Sequence, residues 1–357
     1  MRMPPWTSLL PIASIALIGA ALVWPPGMIL ASVSALALIG SVMASVHHAE
    51  VVAHRVGEPF GTLILAVSVT VIEAALIVSM MLSGGPDKSA LPRDTIFSAI
   101  MIICNGAVGL CLLAGGLKHH EQRFQLDGAT SALATLIALA TLSLVLPAFT
   151  TSAAGARYTA SQLGFAAVAS LVLWSVFVFV QTVRHRDYFL PPEGAADESA
   201  HAPPPTVAVA WASFGLLVVS LVAVIGLAKI LSPSIEHAIE SAGLPQTVIG
   251  IVIALLVLLP ETFAAFRAAR ANRLQTSLNL ALGSALASIG LTIPVVALLS
   301  VALGLPLVLG LDPKDLVLLA LTFAVGAITL GTGRTNVLQG AVHLVIFAAF
   351  LLLAIVP

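Results

Sequence analysis

Apolar residues occupy this chain in long unbroken runs separated by short polar links, with no two-residue alternation of the kind a half-buried strand shows. A helical span needs about 20 apolar residues. Runs of that order stand at 7–24, 28–46, 60–82, 94–117, 128–148, 160–181, 207–230, 246–268, 276–301, 314–332 and 335–356, which predicts eleven transmembrane helices. The links carry turn chemistry in Pro25-Pro26-Gly27, Gly84-Gly85-Pro86, Gly243-Leu244-Pro245 and Leu311-Asp312-Pro313. One long polar stretch, RHRDYFLPPEGAADESAHAPPP, separates the sixth and seventh runs and reads as a flexible linker containing Asp187, Glu193, Asp197 and Glu198. The run at 7–24 resembles a signal peptide in length. Ten further apolar segments follow it, so it is read as a retained first helix.

Composition agrees with the pattern. Hydrophobic residues make up 59% of the chain and charged residues 9%, against about 25% charged in a soluble domain. The fold class is therefore an all-α polytopic membrane protein, and nothing suggests a nucleic-acid partner. The net charge of -1 decides little, because the charges gather in the links. Cys104 and Cys111 stand seven residues apart on one expected helix, roughly 10 Å at 1.5 Å per residue, too far to bridge.

Lys88, Arg93, Arg157, Lys229 and Lys314 fall on one side of this topology and the other ten of the 15 Lys and Arg on the other. The richer side is cytoplasmic. That places the N-terminus and the linker inside and the C-terminus outside, in a cell inner membrane. Setting the first helix apart (1–27) leaves two five-helix sets, 28–183 and 207–357, joined by an acidic cytoplasmic linker at 184–206. An odd-numbered set repeated in tandem inserts its second copy upside down, the inverted repeat common among secondary transporters. Thr95, Gly109 and Leu110 recur as Thr276, Gly290 and Leu291 at a constant offset of 181.

The second helix of each set carries one acidic residue, Glu73 in GTLILAVSVTVIEAALIVSMML and Glu261 in IGIVIALLVLLPETFAAFRAARANR. An ionised side chain at the bilayer centre costs about 2.5–3.5 kcal/mol on insertion scales, so it marks an ion or proton pathway by default. Two carboxylates are neutralised by one divalent cation or by two protons, and these occupants must compete. Pro260 removes a backbone donor and frees a carbonyl near Leu256 that could face an ion. Ser284, Ser288 and Thr292 recur every four residues on the next helix, and Ser98 and Asn105 share a face of the helix after Glu73. Calcium takes six to eight oxygen ligands, and Thr70, Asn105, Ser284, Ser288, freed carbonyls and water are the candidates to complete the shell around Glu73 and Glu261. His343 and Asn336 are candidates for a proton path.

These stretches, together with RDTIFSAIMIICNG and GRTNVLQGAVHLVIF, resemble the calcium/proton antiporters of the cation/calcium exchanger superfamily, most closely the bacterial ChaA type. The resemblance covers both halves of the chain. It implies one leading helix, two inverted five-helix repeats, and Glu73 and Glu261 as carriers of cation and protons. The wider family often has Gly-Asn four and three residues before each glutamate, where this chain reads Val69-Thr70 and Val257-Leu258. Thr262 replaces a frequent histidine, and Asn336-Val337-Leu338-Gln339-Gly340 replaces Asn-Trp-x-Glu-Gly. With fewer polar ligands, sodium and potassium stand beside calcium as expected cargo. No cofactor is implied; the partners are cations, protons and the lipid bilayer, and a homo-oligomer is compatible with the sequence. Two other readings remain open: a metal-dependent intramembrane hydrolase using His47, Glu50 and His54, which share a helix face but lack HExxH spacing, and a passive cation channel.

Overall fold

A computed structural model describes residues 4–23, 27–57, 60–84, 88–191 and 204–356. The linker acids Glu193, Asp197 and Glu198 and the turn residues Pro25, Pro26, Gly85 and Pro86 lie outside the described residues. The apolar runs form eleven rods: α1 (Pro5–Val23), α2 (Met28–Val56), α3 (Phe60–Gly84), α4 (Leu91–His119), α5 (Leu126–Ala148), α6 (Ala160–Arg184), α7 (Val207–Ser241), α8 (Thr247–Arg270), α9 (Leu274–Leu303), α10 (Pro313–Leu330) and α11 (Val337–Ile355). Among the described residues nine are long and apolar enough to cross a membrane, and α1 and α3 contribute the shorter apolar stretches Pro5–Ala21 and Val67–Leu82. The protein is an all-α polytopic membrane protein.

Two rods run well past their expected ends. α2 continues beyond residue 46 to Val56, and α7 beyond 230 to Ser241 through Pro233. The extension of α2 is covered on one face, where His48, Ala49, Val51 and Val52 are buried, while Glu50, His54, Arg55 and Val56 are exposed. Three rods contain wider π-helical turns, at Ile102–Ala107 in α4, Thr141–Val145 in α5 and Val180–Arg184 in α6. A short antiparallel pair, β1 (Gln122–Arg123) with β2 (Arg334–Thr335), matches Gln122 to Thr335 and Arg123 to Arg334.

The helices gather into two compact units. The first joins α1, α2, α3 and α7; the second joins α4, α5, α6, α9, α10, α11 and α8 from Gly250 onward. Each unit draws on both halves of the sequence.

In the first unit α2 packs along α7, and α1 and α3 each pack on both. Small side chains allow the close approach: Ser34, Ser41 and Ser45 on α2 and Ser213 and Ser220 on α7 are all buried. Ser14 and Ser41 hydroxyls bond at 2.9 Å, tying α1 to α2. At one end Lys88 pairs with Glu236 at 3.3 Å, and Ser232 donates to the same carboxylate.

In the second unit α4 packs on α11, and α9 packs on α6. Gly109 and Gly290 make these crossings close: a Cβ on Gly109 would stand 3.0 Å from the Cβ of His343, and one on Gly290 2.5 Å from that of Trp174. The two glycines that recur at offset 181 thus each receive the last helix of the other half. Those two last helices open alike, with capping boxes formed by Thr159 with Gln162 and by Asn336 with Gln339. At one end of the unit buried Arg93 pairs with Asp94 at 2.8 Å and Asp312 at 3.6 Å and donates to the Gly310 carbonyl at 3.2 Å.

Gly290→Leu is expected to lower stability by about 1–3 kcal/mol through overpacking, read as a lower Tm in detergent. Gly283→Ala, whose added Cβ meets nothing within 4 Å, is expected to leave Tm unchanged.

Candidate functional site

Glu73 sits near the middle of α3, 2% exposed, with Thr70 one turn earlier at 4%. Its helix neighbours Ile72, Ala74, Leu76 and Ile77 are buried as well, and no Lys, Arg or His stands anywhere in Phe60–Gly84. The carboxylate is therefore held within the first unit on a helix that brings no cation of its own.

Glu261 lies on α8, 8% exposed, directly after Pro260, and the helix continues through that proline. Both ends of α8 are fixed against α4. Near the start, a Cβ on Gly250 would stand 2.9 Å from the backbone of Asp94 and Thr95, so only glycine permits this approach. At the far end, the Arg270 carbonyl accepts from Lys118 Nζ at 2.9 Å and from His119 Nε2 at 3.1 Å, while Gln122 Nε2 donates to the Ala269 carbonyl at 2.9 Å and to Asn272 Oδ1 at 3.0 Å. These are the last-turn carbonyls that a helix leaves without intrahelical donors. The chain turns immediately afterwards at Asn272, with φ 59°.

Because the starts of α4 and α8 meet and their ends meet, the two helices run parallel. Glu261 is eleven residues beyond Gly250, and Asn105 is eleven beyond Asp94. At about 1.5 Å per residue both lie roughly 16 Å along their helices, so the carboxylate and the amide share one depth.

Asn105 occupies the wide turn of α4 and is fully buried. Its Nδ2 donates to Thr322 Oγ1 on α10 at 2.8 Å, and its Oδ1 accepts from His343 Nδ1 on α11 at 3.0 Å. His343 Nε2 stands 3.1 Å from Thr329 Oγ1. α9 packs against α4 on either side of that turn and through it. On α9 Ser288 and Thr292 are buried and Ser284 half-buried.

Of the residues read from the sequence, the second unit assembles Asn105 with His343, and places Glu261 at their level. Asn336 does not join them. It is exposed and its side chain accepts from the Leu338 N–H as the N-cap of α11, a role that holds it at the helix end. Ser98 donates back to the Asp94 carbonyl at 2.6 Å. The hydrolase constellation is not formed: Glu50 and His54 are exposed, and among the described residues no three His, Cys, Asp or Glu side chains gather to hold a metal ion. His48, in the same cluster, is fully buried and its Nε2 donates to the Thr7 carbonyl at 3.0 Å, fastening α1 to α2. The sequence does not mark Gln122, Thr322 and Thr329. Each acts across 14 or more residues of sequence, a reach that no local spacing encodes.

Comparison with known proteins agrees on kinship. The sodium/calcium exchanger protein family matches residues 26–183 and 212–356. The chain is 54% identical to the y4hA protein of Sinorhizobium fredii over 360 residues, covering 100% of this chain and 97% of that one. It is 37% identical to the sodium-potassium/proton antiporter ChaA of Escherichia coli, covering 90% of this chain and 88% of ChaA. The solved structure of the Ca2+/H+ antiporter protein YfkE shares the fold, with a TM-score of 0.74 at 16% identity over 98% of this chain and 99% of that one.

Gln122→Ala is expected to free the end of α8 at a cost of about 1–2 kcal/mol. The measurement is amide hydrogen exchange, which should speed up at residues 267–273 while α6 stays as protected as before.

Proposed function

The chain belongs to the sodium/calcium exchanger protein family, and we propose that it exchanges cytoplasmic calcium, and also sodium or potassium, for protons by alternating access, with Glu73 and Glu261 binding cation or protons in competition. As a member of this family it is a cation antiporter and not an enzyme. The observation that carries the finer reading is the pair of buried carboxylates, one on the second helix of each half. Burial of two such charges is unfavourable unless a cation or protons compensate them. A divalent cation and two protons are alternative ways of reaching the same neutral state.

The proposed oxygen donors to the cation are Thr70 beside Glu73 in the first unit, and Asn105 on α4 and Ser284 and Ser288 on α9 in the second. The carbonyl freed by Pro260 and water supply the rest. The breadth of cargo is supported by the relatives, since YfkE is described as a Ca2+/H+ antiporter and ChaA as a sodium-potassium/proton antiporter. Two matches to one family, at 26–183 and 212–356, and the exchange of partners between α4/α11 and α9/α6 support two inverted five-helix repeats behind a leading helix. In this reading the N-terminus and the acidic linker face the cytoplasm across an inner membrane, and the C-terminus lies outside. A passive channel would need no occupant to replace the cation, and an exchanger family argues against it.

Glu73→Gln and Glu261→Gln are each expected to abolish cation-driven proton movement in inverted vesicles while the protein still inserts; full exchange in either variant would sink the assignment. The pH dependence has a definite sign. Protons occupy the carboxylates as pH falls, so the apparent KM for calcium should rise on acidification and fall toward alkaline pH, measured as proton flux across a pH series with calcium, sodium and potassium added separately.

A further inference from the structure

The second unit holds a chain of buried hydrogen bonds whose direction the geometry dictates. Thr322 Oγ1 has two acceptors for its single proton, the Leu318 carbonyl one turn back at 2.7 Å and Met101 Sδ at 3.4 Å, and the shorter contact to the carbonyl takes it. Toward Asn105 it can then only accept, so the amide must present Nδ2 to Thr322 and Oδ1 to His343. An amide oxygen accepts, so His343 Nδ1 carries the hydrogen. In the neutral ring Nε2 is left as an acceptor, and Thr329 donates to it. The order is Thr329 to His343 to Asn105 to Thr322 to the Leu318 carbonyl. All four side chains are buried.

The chain acts on an irregular place. Asn105 stands in the wide turn Ile102–Ala107, where the backbone departs from the regular helical ladder. α11 presses directly on this turn: a Cβ on Gly106 would meet the Phe347 ring at 3.3 Å.

We propose that His343 is a positioning residue that, as a neutral donor, fixes the amide of Asn105 with its oxygen, and so its second lone pair, available to the transported cation. The proposal rests on the reading of Asn105 as a cation ligand. An amide has nearly the same shape with oxygen and nitrogen exchanged. Without the imidazole, Thr322 alone holds the amide, and a half-turn that gives up this one remaining hydrogen bond would offer the cation an NH2 group that repels it. In this role His343 acts through Asn105, its Nδ1 hydrogen held on the amide oxygen rather than passed on.

The test uses the full chain in proteoliposomes, with proton flux driven by CaCl2 and separately by KCl, and monodisperse elution as the check on folding. His343→Leu is expected to raise the apparent KM about tenfold, the effect of one ordinary hydrogen bond, with maximal rate largely kept. His343→Gln, which supplies a neutral N–H and cannot shuttle protons, is expected to restore most of the loss. In an Asn105→Ala background, His343→Leu should add nothing. Thr329→Val reads the same chain without touching the ring, and its KM rise should likewise vanish in that background. Equal impairment by His343→Gln and His343→Leu, or effects that simply multiply with Asn105→Ala, would overturn the proposal. If Asn105→Ala itself leaves KM unchanged, the ligand reading fails and takes the proposal with it. If Asn105→Ala raises KM while His343→Leu and Thr329→Val do not, the positioning role alone is wrong.

Discussion

Removing a carboxylate from water without giving it a compensating charge costs more than most single contacts in a protein can return. That constraint governs this molecule, because Glu73 and Glu261 are both buried in helices otherwise built of apolar and small residues. Buried serines let α2 and α7 approach closely, and glycines at 109 and 290 admit the last helix of the opposite half. In the second unit α4 departs from the regular helix where it widens at Asn105.

The fold was legible where lipid sets the rules. Every one of the eleven apolar runs became a rod, because a membrane leaves the backbone few alternatives to a helix. The ends of α2 and α7 were not legible. Polar residues such as His47, His48 and Glu50 look like the end of a span, yet α2 runs on to Val56, with His48, Ala49, Val51 and Val52 buried along one face. The wide turns in α4, α5 and α6 left no mark that periodicity could catch, since one extra residue per turn disappears in a run that is apolar on all sides. The division into two interleaved units is likewise a matter of tertiary contact.

The candidate site divides in the same way. The glutamates announce themselves, because a charge in an apolar run has an immediate energetic meaning. The partners of Asn105 do not: Thr322 is 217 residues away and His343 is 238. His343 and Asn336 look equivalent in sequence, as polar residues on the last helix, and the structure separates them into a buried hydrogen-bonding residue and a helix cap. Small polar residues acquire a role only when the fold decides which groups they face.

The central claim is that cation and protons replace one another on the two carboxylates. Its most direct measurement is proton release from purified protein in lightly buffered detergent as calcium is titrated in at mildly acidic pH. Release that saturates together with calcium binding, and that shrinks when either glutamate becomes glutamine, is the expected result. Calcium binding with no accompanying proton release, or release unchanged in both variants, would contradict the account.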